Sequence, residues 1–258
     1  MSVRKILALL AGLTLAGGIA AVATAPANAA SSECGNRCID IFTPQFGHHH
    51  SPDYVLDSFK QGQKTGTPAI LFQVSNTDPA EDITYGTPDT VSDYFEAGLV
   101  SPNVALHYGC KVPADFSTCV SSFGIGVDDW AVELEYSPYG APTGECFGVA
   151  ATAVAGEQVT LQPCGVSGKT LWILDDFALP WQDLQTLYLP LINGSDTNFS
   201  QPFVLTYPSG ANPVDKPRAV LTVTNLQGTV VLQGGLPTPV IDVNSNQLWG
   251  ADVGQLVP

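Results

Sequence analysis

Cys146-Phe147-Gly148-Val149, a spacer containing Gly156, Val159-Thr160-Leu161-Gln162-Pro163-Cys164 and Leu171-Trp172-Ile173-Leu174 decide the fold. Three short apolar runs of strand composition, two cysteines and a tryptophan with aliphatic neighbours make one compact β unit. An echo follows at Val220-Leu221-Thr222-Val223, Val230-Val231-Leu232-Gln233 and Asn246-Gln247-Leu248-Trp249. A fainter one precedes it at Cys38-Ile39-Asp40-Ile41 and Ala69-Ile70-Leu71-Phe72-Gln73. Imperfect repetition of a single unit predicts a threefold arrangement.

Further strands lie between these landmarks. Trp130-Ala131-Val132-Glu133-Leu134-Glu135-Tyr136 alternates cleanly, with Glu133 and Glu135 on one face and Val132 and Leu134 on the other. It leads into Cys146, as Phe203-Val204-Leu205-Thr206-Tyr207 leads into Val220. Proline and glycine punctuate the chain, and only 52–59 and 91–99 could hold a turn or two of helix. Strand, strand, strand, tryptophan strand, three times over, describes a β-trefoil. The expectation is one all-β domain over 30–258 with long loop insertions; a two-sheet β-sandwich gives similar local signals and is the alternative. Ile39, Val149, Leu161, Trp172, Leu221, Leu232 and Trp249 are the expected core.

Residues 1–29 read as a signal peptide. Arg4 and Lys5 precede an apolar stretch from Ile6 to about Val22, and Ala27-Asn28-Ala29 supplies the small-x-small exit. Loss of that segment leaves seven basic residues against 24 acidic ones, a formal charge of −17. Phosphate binding needs concentrated Lys and Arg, so a nucleic-acid partner is not expected. Nor is an anionic membrane surface. All six cysteines fall in the mature chain as local pairs, Cys34 with Cys38, Cys110 with Cys119 and Cys146 with Cys164. Six cysteines allow 15 connectivities, of which this sequential set is favoured, and an extracellular setting favours disulfides over a zinc site.

The 146–174 unit resembles the repeat of the ricin-type β-trefoil lectins, which carry a Gln-x-Trp motif. Cys146 and Cys164 match that family's intra-repeat disulfide, and Trp172 its core tryptophan. Asn246-Gln247-Leu248-Trp249 matches the closing motif of the third repeat and Cys38-Ile39-Asp40-Ile41 the opening motif of the first. The resemblance implies a sugar site built from an aspartate, an aromatic ring and an amide in one repeat, because a pyranose stacks one apolar face and hydrogen-bonds its hydroxyls. The first repeat offers Asp40 and Phe72, with Glu81 and Asp82 near the amide positions. The second has Gly148 and Gln162 instead of the aspartate and the ring. The third keeps Asn246 and Gln247, with Thr222 and Gln233 in the other two places.

Other constellations carry less. His48-His49-His50 could contribute to a metal site only with an acid such as Asp53, and reads as a solvated loop. Gly165-Val166-Ser167-Gly168-Lys169-Thr170 ends like a phosphate loop, but Pro163 stands where its first glycine belongs. Asp128-Asp129, Glu133 with Glu135, and Asp175-Asp176 are acidic pairs in a chain that is acidic throughout, not a facing catalytic pair. The signal segment and composition resemble actinobacterial exported proteins, so Asn193-Gly194 is read as a turn rather than a glycosylation site. The expected protein is a secreted, monomeric, non-catalytic binding module for a glycan or cell-wall polysaccharide, without metal or cofactor. The alternative is an extracellular structural or protein-interaction protein that has lost sugar binding.

Overall fold

Alternation sets the inside of the molecule. Along Trp130–Tyr136, Val132, Leu134 and Tyr136 join the main core, and Glu133 and Glu135 face away from it. The same rule turns Ile39 and Ile41 inward and Asp40 outward on Ile39–Phe42. In the computed structural model, residues 38–253 are described apart from 45–53, 60–62, 76–77, 87, 110–119, 122–123, 126–128, 175–180, 184–185, 209, 234–235 and 243.

Twelve strands form the core in three sets of four. The first repeat holds β1 (Ile39–Phe42), β2 (Tyr54–Ser58), β3 (Ala69–Gln73) and β4 (Ile83–Tyr85); the second holds β5 (Trp130–Tyr136), β6 (Glu145–Gly148), β7 (Thr160–Pro163) and β8 (Leu171–Leu174). The third holds β9 (Leu191–Asn193), β10 (Phe203–Thr206), β11 (Val220–Val223) and β12 (Gly250–Val253). First and fourth strands pair around a ring: β1 with β4, β4 with β5, β5 with β8, β8 with β9 and β12 with β1. The bridge Leu189–Trp249, just before β9 and β12, completes it. The second and third strands of each repeat form hairpins.

These hairpins meet at a threefold junction. Ala69 N donates to Val159 O (2.9 Å), Val159 N to Ala219 O (3.0 Å), and Ala219 N to Ala69 O (2.9 Å). Pairing of this kind makes the protein an all-β, β-trefoil-like fold, and the sandwich alternative falls. Ile39, Val149, Leu161, Trp172, Leu221 and Trp249 lie in one buried cluster, as expected. Trp172 Nε1 donates to Phe147 O (2.9 Å) and Trp249 Nε1 to Leu205 O (2.8 Å), the same bond in two repeats.

Three assignments change. Residues 52–59 were a candidate helical turn, but Tyr54–Ser58 is a fully buried strand, because pairing with β3 outweighs local preference. Runs 38–41, 146–149 and 220–223 are expected to correspond; 146–149 does follow Trp130–Tyr136 as a second strand, but 38–41 is a first strand and 220–223 a third. The 230–233 run belongs to an extra hairpin, Asn225–Gln233 with Leu236–Asp242, so Leu232 lies outside the twelve core strands. A helical insertion, α1 (Val91–Glu96) and α2 (Pro102–Tyr108), buries Val91, Val104, Ala105 and Tyr108 in a second cluster. Thr90 and Ser101 cap the two helices by accepting from Asp93 N and Val104 N.

Cys146 and Cys164 are bonded, as the spacing and the lectin resemblance led us to expect. Cys38 is also in a disulfide, while Cys34, Cys110, Cys119 and His48-His49-His50 lie outside the described residues. The 146–164 bond closes a separation of 18 residues, worth about 3 kcal/mol in the chain-entropy account. Replacing both with serine is therefore expected to lower stability by about that much, read as a lower urea midpoint of the oxidised protein. An unchanged midpoint would refute it. Among the described residues, no helix is long and apolar enough to cross a membrane.

Candidate functional site

The threefold pairing identifies which residues correspond. Ser58 N donates to Ala80 O (3.0 Å), Val149 N to Lys169 O (3.1 Å) and Tyr207 N to Asn246 O (3.0 Å). One residue further, Glu81, Thr170 and Gln247 therefore occupy one position in the three repeats. By the hairpin registers, Asp57, Gly148 and Thr206 share another, and Phe72, Gln162 and Thr222 a third. Pairing of the first strands aligns Asp40 with Glu133 and Pro190. These positions lie on the side of the strands turned away from the main cluster, and most of them are buried. Chemistry at this shared place differs in every repeat.

In the third repeat the place is a recess of about 460 Å³ lined by Thr206, Pro208, Thr222, Val223 and residues 244–247. Its polar wall is tied together internally. Gln247 is buried, its Nε2 donating to Thr222 Oγ1 (2.8 Å) and Val223 O (2.9 Å) and its Oε1 accepting from Asn244 N (3.3 Å). Asn246 Nδ2 donates to Tyr207 O (2.7 Å), which leaves its Oδ1 to accept from a ligand. Thr206 and Thr222 share a hydroxyl–hydroxyl bond of 2.7 Å. Ser245 is exposed at the rim, and exposed Val223 and half-buried Pro208 supply an apolar flank. No lining residue carries charge. The structure thus brings the two expected amides, Asn246 and Gln247, into one recess, with Gln247 serving as its frame.

In the second repeat the place is filled by the protein itself. Thr170 Oγ1 donates to Glu133 Oε1 (2.6 Å), and Gly165 N donates to the same oxygen (2.9 Å). A Cβ on Gly148 would stand 2.5 Å from Lys169 O, so only glycine allows this close approach. Glu135 accepts from Gly144 N (2.7 Å), so both acids of the alternating strand hold loops in place.

The first repeat is acidic. Asp40 and Phe72 lie on β1 and β3, Asp40 buried and Phe72 half-buried with Lys216 Nζ 4.2 Å above its ring centre. Neither lines the recess of the third repeat. Asp57 and Glu81, unremarked or noted only as near an amide position in the sequence, are almost wholly inaccessible at 1 % and 3 % exposure. Burial, then the charge of Asp78, pushes the Asp57 carboxyl up to about 8 against the pull of Lys216. Burial pushes Glu81 up to about 10, opposed by the Ser75 N–H and reinforced by Asp40, Asp57 and Asp78. One signal could have exposed this. Glu81-Asp82-Ile83 aligns with Gln247-Leu248-Trp249, an acid standing where the motif has its amide.

Fold and site together describe a β-trefoil-like protein in which one repeat presents a neutral polar recess and another a buried acidic group. No family model and no curated protein matches the sequence. Among solved structures the chain is similar to the designed threefold-symmetric protein ThreeFoil (11 % identity, 83 % of this chain and 96 % of that one, TM-score 0.43). It is also similar to the SDF2-like protein from Arabidopsis thaliana (10 % identity, 86 % and 94 % covered, TM-score 0.38). At such low identity and superposition nothing about ligand or activity carries over, and the fold assignment stands on the strand pairing.

Proposed function

We infer that the protein is a secreted, non-catalytic module that binds a neutral carbohydrate in the recess of its third repeat. The observation that carries this reading is the lining: hydroxyls and amides beside a small apolar flank, without a charged group. A polyhydroxylated ring satisfies such a surface, with C–H groups on Val223 and Pro208 and hydroxyls toward Ser245 and Asn246. An anion or cation would find no counter-charge there. Asp40 and Phe72 of the first repeat are the other candidates. Burial of Asp40 and the Lys216 ammonium over Phe72 move the preference to the third repeat. Export is supported by the signal-like first 29 residues and by the Cys146–Cys164 disulfide, which suits an oxidising compartment. Absence of catalysis is part of the same proposal, supported by the structural bonding of Glu133 and Glu135.

Plant, fungal and bacterial cell-wall glycans arrayed against the mature protein test it. Ser245→Trp fills the recess from an exposed position, so binding is expected to fall at least tenfold with an unchanged melting temperature. Silence across the array would overturn the reading in favour of a protein-interaction role. Turnover of any glycan would make the protein an enzyme.

A further inference from the structure

We propose that the recess of the third repeat selects sugars by their free hydroxyl donors, and that Thr206, Thr222 and Gln247 impose this choice. The proposal rests on the carbohydrate reading given above and names the chemical class within it. That class is unsubstituted neutral hexoses and pentoses, presented hydroxyl first, rather than ethers, esters or carboxylates at the same position.

These three residues line the recess and are joined in a relay whose polarity the backbone fixes at both ends. Gln247 Oε1 accepts from Asn244 N (3.3 Å), which can only donate, and Gln247 Nε2 donates to Val223 O (2.9 Å), which can only accept. The amide therefore has a single orientation, and its other Nε2 hydrogen goes to Thr222 Oγ1 (2.8 Å). At the far end Thr206 Oγ1 donates to Val204 O (3.0 Å). A hydroxyl has one hydrogen, so the 2.7 Å bond between the threonines runs from Thr222 to Thr206. Every hydrogen of the relay is spent within the protein.

What remains is acceptor capacity. Each threonine oxygen has accepted once and can accept once more. Any ligand group that reaches half-buried Thr222, or the more enclosed Thr206, meets a lone pair and no hydrogen. A hydroxyl satisfies it by donating. An ether, ester or carboxylate oxygen sets a second lone pair against the first. Turning a threonine hydrogen toward that oxygen breaks the relay and leaves a buried acceptor short of its partner. Asn244, Ser245 and Asn246 keep both donor and acceptor capacity, so discrimination falls to the inner three.

The other repeats lack this device. At the three corresponding positions the first has Asp57, Phe72 and Glu81, and the second has Gly148, Gln162 and Thr170. Gln162 Nε2 turns to Thr160 Oγ1 (2.7 Å) and Thr170 Oγ1 to Glu133 Oε1 (2.6 Å), so no relay joins them.

Chemical-shift titration of the ¹⁵N-labelled mature protein, followed at the side-chain amide of Asn246, tests the choice. The probes are the methyl glycosides of glucose, galactose, mannose and xylose and their monofluoro analogues, in which fluorine replaces one hydroxyl at nearly equal size and does not donate. At least one parent glycoside is expected to bind, and one of its fluorinated analogues to bind at least tenfold more weakly. Thr222→Val keeps the shape, removes the acceptor and should weaken the parent at least tenfold. Thr222→Ser keeps the oxygen and should leave binding within threefold of wild type. A parent matched by all its fluorinated analogues would overturn the proposal and leave the carbohydrate reading standing. So would a folded Thr222→Val protein that binds like the wild type. Absence of binding by every glycoside would overturn both.

Discussion

The protein loses stability steadily as pH rises from 5 to 9, where many domains are near their most stable. The cause is the pair Asp57 and Glu81, whose carboxyls are raised from 3.8 to about 8 and from 4.5 to about 10. Both values lie above those of the unfolded chain. Their stabilising contribution is complete below about pH 4 and is lost as pH passes first 8 and then 10. Between pH 5 and 8 the folded protein holds up to two protons that the unfolded chain has released. Proton release on unfolding therefore gives the stability profile a negative slope across this range, and the melting temperature falls as pH rises. Urea unfolding at half-unit pH intervals measures it. Asp57→Asn with Glu81→Gln, which stay neutral at every pH, should flatten the profile and leave the variant more stable than wild type at pH 9. A wild-type profile that is flat from pH 5 to 8, or a variant with the same slope, would show that these carboxyls are not buried in the way described.

Trp172→Ala is expected to cost about 4 kcal/mol. The side chain is fully buried in the main cluster, and large-to-small changes of this kind cost about 3–5 kcal/mol. Loss of Nε1 also removes the donor to Phe147 O. Trp172→Phe separates the two effects, because it keeps most of the apolar volume and leaves only the carbonyl unpaired, at about 1–3 kcal/mol. The readout is the urea midpoint by circular dichroism, with an unchanged slope confirming that the unfolded state is unaltered. Trp249→Ala should behave alike, since its Nε1 makes the corresponding bond to Leu205 O. A cost below 1 kcal/mol for either alanine variant would mean that the repeats do not close on these rings.

The sequence by itself determined whatever is written within about 30 residues. Alternation in Trp130–Tyr136 placed Glu133 and Glu135 on the outer face and their neighbours inside. The local cysteine pair at 146 and 164 and the two tryptophans of the closing segments marked the repeat. These features are legible because strand propensity, period-two burial and short loop closure depend on near neighbours. Only the tertiary structure decided which apolar run is a first, second or third strand. That choice rests on hydrogen bonds between residues far apart in the chain, such as the ring joining Ala69, Val159 and Ala219. The candidate sites divide in the same way. Asn246 and Gln247 were visible as a motif, but the role of Gln247 as frame depends on Thr222 and Val223, which the fold brings to it. Asp40, Asp57, Asp78 and Glu81 form no pattern along the chain. They become neighbours because positions on two strands and one loop fall on the same side of the first repeat, and burial raises the carboxyls of Asp57 and Glu81 among them.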